Sequence, residues 1–124
     1  MKSKLIILIT IIGVLTVLQS AKACQFRLTA EKQTIQVRDT VKVTVKVIHE
    51  HRRCLIPIED TEFELKNFQI VKESKWDEVR RGQYEKTFLL TATEAGNADL
   101  EIIRECSRKG RFSEKISIDV QAAL

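Results

Sequence analysis

The residues able to do chemistry in this chain are few and unevenly placed. Its two histidines, His49 and His51, stand on alternate positions, and Cys54 follows them closely. On an extended segment alternate residues point the same way, so both imidazoles share a face. Two imidazoles and a thiolate form a nitrogen–sulfur set suited to copper or zinc, and Cys106 would complete four ligands if the fold brings it opposite. A cysteine sealed in a disulfide cannot serve as such a ligand. The redox state of the three cysteines, Cys24, Cys54 and Cys106, therefore decides which chemistry is open.

The compartment bears on that choice. Lys2 and Lys4 precede a largely apolar run at residues 5–18, and Ala21-Lys22-Ala23 places small residues where a signal peptidase reads. In a helix the run spans about 21 Å, short of the roughly 30 Å of a hydrocarbon core. The expectation is a signal-peptide helix over residues 1–23 and one exported domain over 24–124, in an oxidising compartment. The whole chain carries a net charge of +4. Lys2, Lys4 and Lys22 leave with the leader, so 18 basic side chains then face 17 acidic ones. A near-neutral exported domain without a basic, aromatic-lined face is not expected to bind nucleic acid.

Alternation dominates the remainder. Val41, Val43, Val45 and Val47 fall on one face of residues 40–47, with Lys and Thr between them, as a half-buried antiparallel strand requires. Further strands are expected near Phe26 and Leu28, near Ile35 and Val37, and over 56–65, 68–76, 84–91, 98–106 and 115–120. A Lys66-Asn67 turn separates the middle pair, and Ala95-Gly96-Asn97 marks another turn. Residues 77–82 also read as a turn; Trp76, Tyr84 and the five phenylalanines read as core or strand-edge packing, with exposure beside the turn the alternative for Trp76. Seven or eight short strands without a convincing helix predict an all-β, antiparallel β-sandwich.

From Phe26 to Val120 the pattern resembles the secreted immunoglobulin-like domains of bacteria, which implies an immunoglobulin-like sandwich. The last third, residues 82–120, also resembles the chagasin-type inhibitors of cysteine proteases. Those inhibitors carry an Asn-Pro-Thr-Thr-Gly loop after the second strand; this chain has His49-Glu50-His51-Arg52-Arg53-Cys54 there, so inhibition is not implied. In an immunoglobulin-like order, Cys54 and Cys106 begin and end neighbouring antiparallel strands at one end of the sandwich. Neighbouring strands supply the Cα spacing a disulfide needs, and closing that loop would stabilise the fold by about 4 kcal/mol. Disulfide and metal centre compete for these two sulfurs.

The same end gathers Arg52, Arg53, Arg104, Arg108, Lys109 and Arg111. They form either a rim facing an anion or partner, or exposed pairs with Glu50, Glu59, Asp60 and Glu105. Cys24 would be the first residue after the leader, where bacterial lipoproteins carry their lipid. The match is partial, with Ala21 where Leu is usual and Lys22 where a small residue is usual. Cys24 is thus either lipidated, giving a membrane tether, or left free or paired elsewhere. Glu59, Asp60, Glu62 and Glu64 read as a solvated face. No Gly-rich phosphate loop, Gly-x-Ser-x-Gly or His-Glu-x-x-His occurs. The functional expectation is a non-catalytic binding or accessory module for a protein or other envelope component. The alternative is a periplasmic copper- or zinc-binding or redox accessory protein using His49, His51, Cys54 and Cys106.

Overall fold

The computed structural model describes residues 24–49, 56–106 and 110–123, with Cys24 described by its backbone alone. The expected leader, residues 1–23, lies outside them. Nine strands follow in chain order: β1 (Cys24–Ala30), β2 (Thr34–Gln36), β3 (Thr40–His49), β4 (Glu62–Lys66), β5 (Phe68–Glu73), β6 (Asp77–Arg80), β7 (Gln83–Ala92), β8 (Gly96–Cys106) and β9 (Gly110–Gln121). One sheet runs β1-β3-β7-β5, with β6 also paired to β7; the other runs β2-β9-β8-β4. Every pairing is antiparallel except that of β2 on β9. The chain is an all-β protein of two sheets in a sandwich-like arrangement.

Period two explains why the sheets stack. Val41, Val43, Val45 and Val47 on β3 are fully buried, and so are Ala98, Leu100 and Ile102 on β8 and Leu90 on β7. Burying each of the larger of these side chains stabilises the fold by about 1.5–3 kcal/mol relative to exposure. Aromatic rings close the two open sides of the core. Phe26 of β1 stacks on Phe112 of β9 with centroids 4.5 Å apart. On the other side Phe63 of β4 meets Phe88 of β7 edge-on at 4.8 Å and lies 6.0 Å from Trp76. Trp76 is therefore part of that wall, packed as core or strand-edge residues are, and not exposed beside the following strand. Lys86 shares the inward parity of β7 and runs beneath this wall. Its ammonium group lies 5.4 Å from the Phe88 ring, donates to the Ser74 carbonyl at 2.6 Å and meets Glu73 at 3.4 Å. The long stem is buried while the charge reaches an acceptor.

Two elements differ from the sequence expectation. The strand expected over 56–65 begins only at Glu62, because the chain first winds through a 3-10 turn at Ile58–Asp60. Pro57 has no N–H for a ladder, yet its carbonyl accepts from the Asp60 N–H at 3.1 Å, and the Thr61 N–H follows onto Ile58 at 3.2 Å. Residues 77–82, expected as a turn, contain β6. Together β5 and β6 form one broken border along β7, with a register shift in each, between Ile70 and Lys72 and between Glu78 and Arg80.

Leu100 is completely enclosed, so Leu100→Ala should lower unfolding free energy by about 2–5 kcal/mol. Denaturant melts of the two proteins check this; a loss under about 0.5 kcal/mol would contradict the packing described.

Candidate functional site

Several strand ends meet at one end of the sandwich. β3 rises to His49 and β8 rises to Cys106, while β1 starts at Cys24, the backbone partner of His49. β7 starts beside Ile48, its Gln83 paired with that residue. The His49 N–H donates to the Gly82 carbonyl at 2.8 Å. Gly82 adopts φ +78°, and a Cβ there would stand 3.2 Å from the His49 carbonyl oxygen. Both the positive φ and the close approach favour glycine here.

Arg104 connects the two sheets at this end. It is 1 % exposed, the largest of the fully buried side chains. Its Nη1 donates to the Pro57 carbonyl at 2.8 Å and to Thr61 Oγ1 at 3.0 Å. Its Nη2 donates to the Ile56 carbonyl at 2.6 Å and to His49 Nε2 at 3.2 Å. A guanidinium has no lone pair to offer, so this imidazole nitrogen accepts and the ring proton sits on Nδ1. Thr61 Oγ1 in turn donates to the Ile58 carbonyl at 2.7 Å. One side chain of β8 thereby holds the 3-10 turn, its lead-in and the last residue of β3. The His49 ring also lies 5.4 Å from Tyr84, tilted by 56°.

The expected site residues separate into three groups. His49 and Cys106 share this end, Cys106 buried at the close of β8 and paired in register with Gly110; Cys24 stands at the same end by register. His51, Arg52, Arg53, Cys54, Arg108 and Lys109 lie outside the described residues, so the Cys54–Cys106 disulfide and the four-ligand metal set do too. Among the described residues no three His, Cys, Asp or Glu side chains form a metal-ligand group. His49 already spends Nε2 on Arg104.

The arginines expected together in a rim take different places. Arg104 does not belong to a solvated rim: β8 carries it inward. Arg111 is exposed, with Nη2 3.8 Å from Glu62 Oε2, an open pair worth under about 1 kcal/mol. It borders a hollow of about 250 Å³ shared with Ile56, Asp60, Glu62, Ile103 and Glu105, with Arg104 behind. The hollow is thus edged by three carboxylates as well as a guanidinium, not by cations alone. Glu59, Asp60, Glu62 and Glu64 are all exposed, as a solvated face should be.

Sequence reasoning missed the central role of Arg104, although a signal was present. Ala98, Leu100, Ile102, Arg104 and Cys106 share one parity, so the alternation that turns Cys106 inward turns Arg104 inward as well. No protein-family model matches the chain, and no curated protein matches it.

Arg104→Lys should cost about 2–4 kcal/mol, since an ammonium cannot span the acceptors at Ile56, Pro57, Thr61 and His49 together. A double-mutant cycle pairing it with His49→Phe should give a coupling of at least about 0.5 kcal/mol. Additive losses in denaturant melts would show that the sheet-to-sheet bond contributes nothing.

Proposed function

We propose that the chain is an exported, non-catalytic binding module of immunoglobulin-like type that recognises a protein or other component of the cell envelope. The strand order supports the fold assignment. β1-β3-β7-β5 and β4-β8-β9 fall where the ABED and CFG strands of such sandwiches fall, and the parallel β2 carries the first strand's continuation to the second sheet. The leader-like residues 1–23 support export, and Cys24 at the start of β1 is the place for a lipid tether. Cys54 and Cys106 form a disulfide in this reading, and no copper or zinc is required.

The observation that carries the assignment is the Arg104 node. A loop end becomes a recognition surface when a rigid scaffold fixes it, and here a buried guanidinium fixes the lead-in to β4 against both sheets. The segments on either side of that node hold Arg52, Arg53, Arg108, Lys109 and Arg111, the rim offered to the partner. In this reading a fixed scaffold beneath a polar rim serves binding, without a nucleophile and its base.

Two measurements test this. Cross-linking in the native envelope should yield a discrete adduct that disappears in the Arg108→Glu, Lys109→Glu, Arg111→Glu triple variant while Tm stays within a few degrees. An undiminished adduct would remove the rim from recognition. In the second, alkylation of the denatured protein without reductant should leave Cys54 and Cys106 unlabelled, and added copper or zinc should leave the Tm of the native protein unchanged. Free labelling of both, with a metal-dependent rise in Tm, would replace the disulfide by the His49, His51, Cys54, Cys106 metal site, because a ligand of the native state must raise Tm.

A further inference from the structure

The outer face of the first sheet carries a second feature near the same end, separate from the Arg104 node. Arg27 of β1 lies directly opposite Lys46 of β3, and Lys46 lies opposite Glu85 of β7. In the next row toward the end, Ile48 pairs with Gln83, which also faces Arg80 of β6. These side chains and Val79 line a concavity of about 460 Å³. Among the described residues, Arg27, Lys46 and Arg80 have no carboxylate within ion-pair distance. Three cations against one glutamate leave the hollow net positive.

Two like charges placed opposite each other across a strand pair destabilise a sheet. A bound anion would turn that cost into a gain. The hollow is not purely polar, however. Ile48 forms part of its lining, and Val79, the extra residue of the β6 bulge, is 42 % exposed. Cationic side chains beside exposed aliphatic surface suit an amphiphile with an anionic head. The position fits as well, because Arg27 follows Cys24 by three residues on β1, about 10 Å along a strand.

We infer that the Arg27, Lys46, Arg80 concavity binds the phosphate headgroup of an anionic phospholipid, laying the outer face of β1, β3 and β7 against the membrane. The choice of a lipid over a free phosphate rests on the envelope location proposed above; the anion site itself does not. Lipid tethers of one chain hold weakly and gain from a basic patch.

The test uses the full chain expressed with its leader, recovered after export and carrying Cys24→Ser, so that no acyl anchor contributes. Co-sedimentation with phosphatidylglycerol vesicles should exceed that with phosphatidylcholine vesicles and fall as salt rises. Arg27→Gln with Lys46→Gln should weaken it about thirty-fold, taking roughly 1 kcal/mol per charge near an anionic surface. The variant's Tm should stay within a few degrees of its parent's, since the like-charge pair and the Lys46–Glu85 pair are removed together. Arg80→Gln alone should weaken binding about fivefold on the same basis, and Arg111→Gln should leave it unchanged. Equal binding by the double variant overturns the site. Stabilisation by inorganic phosphate without any vesicle preference overturns the lipid assignment. An undiminished cross-link in the Arg108→Glu, Lys109→Glu, Arg111→Glu triple variant, with vesicle binding intact, would instead count against the proposed recognition rim alone.

Discussion

A guanidinium withdrawn from water must find acceptors for its fork of N–H groups, and that requirement organises one end of this molecule. Arg104 supplies both terminal nitrogens, each with two acceptors: two backbone carbonyls, a threonine hydroxyl and an imidazole, drawn from residues 56–61 and from the end of β3. Removing one partner of a buried charge costs far more than the pair contributes in isolation. The geometry of Pro57, the 3-10 turn and the end of β3 therefore stand or fall together. Hydrophobic stacking holds the sheets face to face, but it is non-directional. The directional bonds at Arg104 fix where the chain between β3 and β4 leaves and re-enters.

The rest of the molecule divides by face. The inward rows of β3, β7 and β8 are largely apolar, with His49 at the end of β3, and the two charged residues in them, Arg104 and Lys86, each lead their charge to an acceptor near the periphery. Outward rows carry the lysines, threonines and glutamates that keep the surface wet. The two functional proposals draw on different surfaces accordingly. Partner recognition belongs to the end capped by the Arg104 node, whereas headgroup binding belongs to the flank of the first sheet below Cys24. A domain held on a membrane by its flank would leave its end free to engage a neighbour.

Much of the architecture was legible in the sequence because period two is a strong signal where one face is buried. The valines of β3, the alternation in β8 and β9, and Asn67 at a positive-φ turn between β4 and β5 follow from residue type alone. What escaped was set by non-local partners. Pro57 delays β4, but only the carbonyl acceptors around Arg104 explain why the delay is a 3-10 turn. Charge at Arg104 outweighed its parity in the reading, since arginine is seldom enclosed unless paired. β6 escaped because its Asp, Glu and Arg resemble a turn, and it is a strand through pairing with β7. At the candidate site, shared location could be foreseen for His49 and Cys106, while the arginine between them was assigned to solvent.

The broken border formed by β5 and β6 has a consequence for how copies of this protein behave in a crowded compartment. Phe68–Glu73 contains adjacent exposed Ile70 and Val71, a composition that in a flat, uninterrupted edge would template addition of further chains. The two register shifts bend that edge, and Lys72 and Glu73 place charge within it. No long row of evenly spaced donors and acceptors is left for an incoming strand to match. The same irregularity that gives β6 its outward valine thus blunts this border of the first sheet against strand addition.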